Sequence, residues 1–252
     1  MLSQDFYLSG GLDPSTIDWS SYEPNHLTPE QEEVTKMSAL SEYAALPSTL
    51  SMLKDIPEDK QQLRSTIIRW TYDETTHAYF FNEYCRRFIP NHTATEYEYE
   101  EIGKDFDNVP MSVPAILTMH MCGEISTIRW YKKMHSWHTE PLMQKLLAEV
   151  SKDESKHANY FKKYLIENLK PEEVKDVLAA FQLYLSKRVF LTIKLASTGN
   201  SSIESRLPNP SLFDKFFKEI ISYSDEDQQT IHKKLLNVAT QIVGVKFNTV
   251  KE

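Results

Sequence analysis

Two stretches of the chain share one pattern, in which an acidic pair is followed by a histidine three residues after the second acid. They are Asp73–His77 and Asp153–His157. Because residues three apart lie on one face of an α-helix, the glutamate and the histidine of each stretch can bind the same metal ion. Two such motifs on separate helices provide half of a dinuclear metal site in a helical bundle. The remaining ligands should then be lone glutamates from two further helices.

The motif becomes informative only through its position in the chain. With 8 His and 36 Asp and Glu among 252 residues, an acid stands three residues before a histidine about once by chance. A third example, Glu23–His26, contains Pro24 and lies among residues typical of turns, so we expect no helix there. The other two examples are distinguished by where they lie relative to predicted turns.

The first two predicted helices form a hairpin. Thr28–Gln31 combines an N-cap threonine, a proline at the first helical position and a glutamine three residues after the cap. This helix should run to about residue 55, with a kink at Pro47 because proline removes a backbone hydrogen bond. A second helix is predicted from about Glu58 to Phe88, where Pro90 follows.

The lone glutamates are chosen by their distance from the turns. Glu42 and Glu74 are 32 residues apart, and their midpoint is Glu58, in the turn Ile56–Asp59 between the first two helices. Antiparallel packing of these helices therefore places the two glutamates at one level. Glu124 and Glu154 are 30 residues apart, and their midpoint falls in a second turn, Trp137–Pro141. The predicted ligand set is six side chains: Glu42, Glu74, His77, Glu124, Glu154 and His157.

Composition favours an all-α chain. Only 6 of the 252 residues are glycine, 40% are hydrophobic and 25% are charged, and strand-like alternation is hard to find. The two predicted hairpins, joined by a crossover at 89–111, are then expected to form one domain, a four-helix bundle over about 28–168 in the ferritin-like manner. Residues 1–27 are expected to form an arm without regular structure. Residues 171–252 should add accessory helices, one from Pro171 to about 199 and others at 210–222 and 225–243.

Charge and hydropathy exclude several classes of protein. A net charge of −8 argues against a nucleic-acid partner, since phosphate contacts need a basic surface. No stretch approaches 18 apolar residues, and the N-terminus lacks a basic start with an apolar run, so we expect a cytoplasmic protein without a membrane span. Cys85 and Cys122 have neither zinc-type nor disulfide-type spacing and are expected in the core.

The ligand types indicate which metal to expect. Carboxylate and imidazole donors suit iron or manganese better than thiolate-preferring metals. Four carboxylates converging inside an apolar bundle would be very costly without a cation. Asp73 and Asp153, next to the motif glutamates, are candidates to hold the second ring nitrogen of a ligand histidine. His120, His135 and His138 are expected at the surface or hydrogen-bonded, and not as ligands.

The motifs resemble those of the soluble acyl-carrier-protein desaturases, over roughly residues 28–168. That family pairs a Trp-preceded acid-Glu-x-x-His with a later Asp-Glu-x-x-His, as Trp70–His77 and Asp153–His157 do here. Glu124–Thr127 resembles the family's third-helix ligand with an active-site threonine three residues on, and Leu46-Pro47 resembles its first-helix Leu-Pro. Glu42 lies one residue further from Leu-Pro than in the family, and the motif interiors also differ.

The resemblance implies a function. It implies two iron ions, cycling between Fe2+ and Fe3+, that activate O2 with electrons from a ferredoxin-type donor. The substrate would be an acyl chain on acyl carrier protein, desaturated or otherwise oxidised at a C–H bond, with Thr127 as a catalytic residue. A homodimer is the default oligomer.

Two other functions remain open. An arylamine N-oxygenase would use a similar site, but that family has a further histidine one turn before its last motif, where this chain has Val150. A ferritin-like iron-storing or iron-sequestering protein would need no organic substrate.

Overall fold

Helices are the regular secondary structure of the part of the chain that the structure describes. The computed structural model describes residues 12–23, 27–43, 45–90, 111–186 and 225–247, and these contain seven α-helices and no strand. The helices are α1 (Pro29–Tyr43), α2 (Ala45–Asp55), α3 (Gln61–Phe88), α4 (Val113–Trp137), α5 (Pro141–Asn168), α6 (Val174–Ser186) and α7 (Asp225–Val243). Single-turn 3₁₀ helices occur at Pro14–Thr16, Trp19–Ser21 and Pro171–Glu173.

The chain divides into two compact units. Residues 1–107 and 131–153 form the first unit, and residues 108–130 and 154–252 form the second. The division therefore falls within α4, after Trp130, and within α5, after Asp153. The prediction of a single domain stays a prediction.

Helix α1 begins as its sequence predicts. The Thr28 hydroxyl accepts a hydrogen bond from the Gln31 amide, and the Gln31 side chain accepts one from the Thr28 amide. This reciprocal pair satisfies two backbone donors that the first helical turn leaves open. The Gln31 side chain also donates to the Trp137 carbonyl, at 2.9 Å, so the cap ties α1 to the end of α4.

The first predicted helix is two helices in the structure. Helix α1 ends at Tyr43 and α2 begins at Ala45, one turn before the kink that we expected at Pro47. Pro47 has no amide hydrogen to donate to the carbonyl four residues earlier, which is that of Tyr43. Residue 44, which separates the two helices, lies outside the described residues, and the kink at Pro47 stays a prediction.

The core of the first unit is built around α3. Helices α1 and α2 both pack against α3, which begins at Gln61, three residues later than predicted. Its buried face carries large apolar side chains, among them Leu63, Ile67, Phe80 and Phe81. Thr49 of α2 and Thr71 of α3 join their hydroxyl groups in a buried hydrogen bond.

The second unit contains the accessory helices. Helix α6 packs against α7, and the buried Tyr184 of α6 donates a hydrogen bond to Ser126 of α4, at 2.7 Å. The predicted last helix, 225–243, is confirmed as α7. Three predicted parts lie outside the described residues: the Pro171 helix beyond Ser186, the helix at 210–222 and most of the crossover.

Three further expectations can be compared with the structure. The arm was expected to lack regular structure, which is wrong for its two 3₁₀ turns at Pro14–Thr16 and Trp19–Ser21. Both cysteines are buried and free, as expected. Among the described residues, no helix combines the length and the hydropathy that crossing a bilayer requires.

Candidate metal centre

The first unit brings together three of the predicted ligands. Glu42 of α1 and the pair Glu74 and His77 of α3 each offer a donor atom, and these atoms lie within 4.8 Å of one another. The His77 Nδ1 atom lies 3.6 Å from Glu42 Oε2. All three side chains are buried, and His77 is completely inaccessible. We call Glu42, Glu74 and His77 the first triad.

The second nitrogen of His77 has its own carboxylate. His77 Nε2 lies 3.5 Å from Oδ2 of the buried Asp153, at the limit of a hydrogen bond. The same oxygen accepts a hydrogen bond of 3.0 Å from the backbone amide of Leu12. This arrangement leaves Nδ1 directed to Glu42, as expected if Asp153 holds the ring for metal binding. Asp73 forms an ion pair of 3.0 Å with Arg69 on its own helix, and its predicted role toward a ligand histidine stays a prediction.

The second unit brings together the other three predicted ligands. Glu124 of α4 and the pair Glu154 and His157 of α5 offer donor atoms within 4.8 Å of one another. His157 Nδ1 lies 3.3 Å from Glu154 Oε2 and 3.7 Å from Glu124 Oε2. All three side chains are buried. We call Glu124, Glu154 and His157 the second triad.

The electrostatics of the second triad favour a bound cation. Burial, reinforced by the negative charge of Glu154, raises the pKa of Glu124 to about 8, and the nearby His157 only partly offsets this. Without a cation, one carboxyl group therefore keeps its proton near neutral pH. A divalent ion would stabilise the ionised form, and carboxylate and imidazole donors are those that iron accepts. The residues present therefore fit a metal ion.

The histidines outside the triads differ in their surroundings. His120 lies one turn before Glu124, and burial lowers its pKa while the charge of Glu124 acts in the opposite direction. His138 is buried, and burial lowers its pKa to about 4. Neither of its ring nitrogens has a hydrogen-bond partner among the described residues, so the expectation of a surface or hydrogen-bonded ring is wrong for His138. In the described part of the chain, His120, His135 and His138 do not belong to any group of donors close enough to bind a metal.

Thr127 lies on α4, three residues after Glu124, and is partly exposed. Its role as a catalytic residue stays a prediction.

The structure also shows a buried carboxylate that the sequence analysis missed. Glu140 precedes α5 and accepts hydrogen bonds from the backbone amides of Leu142 and Met143, at 3.0 and 2.7 Å. It also accepts one of 2.8 Å from the Tyr84 hydroxyl and one of 3.2 Å from the Glu23 amide. The turn at Trp137–Pro141 was predicted, but a glutamate is not a usual N-cap residue, so no signal marked its function.

A helical chain with buried triads of glutamate and histidine has the features of the ferritin-like di-iron carboxylate class. The sequence model of the family described as Rubrerythrin matches residues 33–165, which is more than half of the chain and includes all six predicted ligands. The chain belongs to the Rubrerythrin family. The predicted fold class, an all-α ferritin-like bundle, is therefore confirmed. The match supports this superfamily but not the acyl-carrier-protein desaturases in particular.

Neither the search of curated proteins nor the search of solved structures finds a match to this chain.

Proposed function

We propose that this chain is a di-iron oxidoreductase that uses O2 to oxidise an organic substrate, with the side chains of the two triads as its iron ligands. The observation that carries the proposal is the burial of four glutamates and two histidines in two groups of matching composition. The family match supports iron as the metal.

The chain's own residues would prepare the site in three ways. The four carboxylates neutralise the positive charge of the metal ions, and the surrounding apolar core excludes water, which strengthens those interactions. Asp153 holds the His77 ring by the nitrogen that faces away from Glu42. Glu124 gives up its proton when a cation binds. The iron itself would provide the redox chemistry with O2.

The substrate we propose is an acyl chain on acyl carrier protein, desaturated or otherwise oxidised at a C–H bond. Support comes from the resemblance of Glu124–Thr127 and of the two motifs to the soluble desaturases. On this proposal Thr127 takes part in O2 activation, a ferredoxin-type protein provides electrons, and the enzyme acts as a cytoplasmic homodimer.

A ferritin-like iron-binding protein without an organic substrate is the second candidate. The observation that favours it is the family match, which supports the metal centre and indicates no substrate. An N-oxygenase is less favoured, because the buried Val150 stands where that family has a further histidine.

The test combines metal analysis with O2 uptake. The purified protein is loaded with Fe2+ without oxygen, and bound iron is counted. O2 consumption is then measured with a reductant, with and without acyl carrier protein carrying an acyl chain. Two irons per chain with O2 uptake that depends on the acyl carrier support the proposal. Two irons without such uptake favour the iron-binding protein, and an absence of bound iron contradicts both.

A matched pair of variants on α5 controls this test. Glu154→Gln removes a buried triad carboxylate, whereas Glu149→Gln removes a surface carboxylate that pairs with Lys152. We expect Glu154→Gln to lose iron and O2 uptake, and Glu149→Gln to retain both.

A further inference from the structure

The N-terminal segment 12–23 is fastened at one end to the start of α5. The Glu23 amide donates a hydrogen bond of 3.2 Å to Glu140. The ring of Tyr22 stacks on Phe88 with 3.8 Å between centroids and 14° between planes. The guanidinium of Arg87 lies 5.0 Å from the ring centroid of Trp19, a cation–π distance. These contacts combine aromatic packing with a charge-assisted hydrogen bond, so they hold this end firmly.

The other end of the segment contacts Asp153, the carboxylate next to His77 of the first triad. The Leu12 amide donates to Asp153 Oδ2 at 3.0 Å, and the same oxygen lies 3.5 Å from His77 Nε2. Glu140 and Asp153 are separated by 13 residues of helix, or about 20 Å. With six residues in its two 3₁₀ turns and about five extended ones, the segment from Leu12 to Glu23 can reach roughly 28 Å, so it spans this distance without strain.

We propose that segment 12–23 is a strap that retains iron in the first triad, and that the Leu12 amide is its positioning group. The amide fixes one oxygen of Asp153, and the fixed carboxylate holds His77 with Nδ1 turned to Glu42. A strap that detaches at Leu12 removes one of the groups that hold the Asp153 carboxylate in this rotamer, and so weakens the hold of Asp153 on the His77 ring. The proposal rests on the proposed function only in requiring that the triad binds metal.

The size of the effect follows from the chemistry of the contact. Mutation of a group that hydrogen-bonds the second ring nitrogen of a metal-binding histidine typically changes metal affinity by about 10- to 100-fold. The Leu12 amide acts one step further out, on the group that holds the histidine. We therefore expect an effect at the lower end of that range, about tenfold.

The decisive comparison is Leu12→Pro against Leu12→Ala. Both variants lose the leucine side chain, but only proline removes the amide hydrogen. The proteins are loaded with Fe2+ without oxygen, and the rate of iron release to a strong chelator is measured. We expect release to be about tenfold faster in Leu12→Pro and within about twofold of wild type in Leu12→Ala.

A double-mutant cycle shows whether the amide acts through Asp153. Asp153→Asn should also accelerate release, and adding Leu12→Pro to it should produce little further change. The unfolding midpoint of metal-free Leu12→Pro should lie only slightly below that of Leu12→Ala, because one hydrogen bond is lost, and iron release is compared under conditions in which both proteins are folded. Release from Leu12→Pro at the wild-type rate, or full additivity with Asp153→Asn, would overturn the proposal.

The same experiment separates this proposal from the proposed function. A wild-type protein that retains iron but consumes no O2 contradicts the oxidase and leaves the release comparison valid. A wild-type protein that binds no iron contradicts both.

Discussion

In the metal-free protein, Glu124 should make the free energy of unfolding depend on pH. Its pKa of about 8 in the fold exceeds its ordinary value of 4.5, chiefly because the group is buried. The stabilising contribution of the protonated form is therefore complete below pH 4.5 and is lost as pH rises toward 8. We expect Glu124→Gln, which cannot ionise, to be more stable than wild type at pH 8, by on the order of 3 kcal/mol.

Urea unfolding of the metal-free proteins across pH 4.5 to 8 measures this difference. The gap between wild type and Glu124→Gln should widen as pH rises and should close or reverse when Fe2+ is added, because the cation stabilises the carboxylate. If the difference in free energy of unfolding between the two proteins stayed constant over this pH range, the raised pKa of Glu124 would be contradicted.

His138 provides a second test at the scale of one residue. Its pKa is lowered from 6.5 to about 4 because burial disfavours the charged ring. The stability that depends on the neutral ring is therefore present above pH 6.5 and is lost as pH falls toward 4. His138→Phe fills a similar volume without burying two ring nitrogens that lack hydrogen-bond partners among the described residues. We expect it to match or exceed wild type by about 1 kcal/mol at pH 7 and by more at pH 5.

The control for this prediction is His135→Phe, a change three residues earlier at a partly exposed position. It should alter the pH dependence of unfolding little. A His138→Phe protein that is less stable than wild type at both pH values would show that the ring makes a hydrogen bond that the prediction ignores.

The residues differ in how far sequence could predict their contacts. The pairing of Glu with His within each motif is predictable because residues three apart on a helix are neighbours whatever surrounds them. The contact between Leu12 and Asp153 is not, because it joins residues 141 apart through a backbone amide that has no sequence signature. The buried ring of His138 is equally unmarked, since a histidine after a helix is common on protein surfaces.

At the scale of elements, Glu140 holds the start of α5 to its surroundings. Its two oxygens accept hydrogen bonds from the amides of Leu142 and Met143, from the Tyr84 hydroxyl and from the Glu23 amide. Glu140→Gln leaves one acceptor oxygen and turns an NH2 group toward donors. We expect a loss of about 2–3 kcal/mol in the free energy of unfolding.

Glu149→Gln on the same helix is the matched control, and its exposed pair with Lys152 should contribute less than about 1 kcal/mol. Urea unfolding at pH 7 compares the two variants. Equal stabilities would show that the hydrogen bonds of Glu140 are replaced at no cost.

Helix boundaries were predictable where local chemistry decides them. The capping pair of Thr28 and Gln31 and the turn at Trp137–Pro141 are local, and both are present in the structure. The kink at Pro47 stays a prediction, because residue 44 between α1 and α2 lies outside the described residues. The 3₁₀ turns of segment 12–23 were missed, because Asp18 caps one of them with its side chain in a stretch without helical periodicity.

For the whole molecule, the class of fold was predictable from a few long-range regularities. Equal distances from the turns place Glu42 with Glu74 and Glu124 with Glu154, and this symmetry follows from the constant rise of an α-helix. The substrate was not predictable in the same way, because residues that line a substrate site follow no such spacing. What the whole chain does therefore has to be tested through properties that depend on both triads.

Iron binding should stabilise the chain through both histidines. A ligand that binds only the folded state adds about 2.7 kcal/mol at a free concentration 100 times its dissociation constant. Because His77 and His157 each belong to one triad, His77→Ala and His157→Ala should each lose at least half of the stabilisation that Fe2+ gives to wild type. The measurement is unfolding with and without Fe2+ under anaerobic conditions, and His135→Ala, at a partly exposed position, is the control that should keep the full gain. If one histidine variant kept the full gain while the other lost it all, only one triad would bind metal, and the centre would be mononuclear.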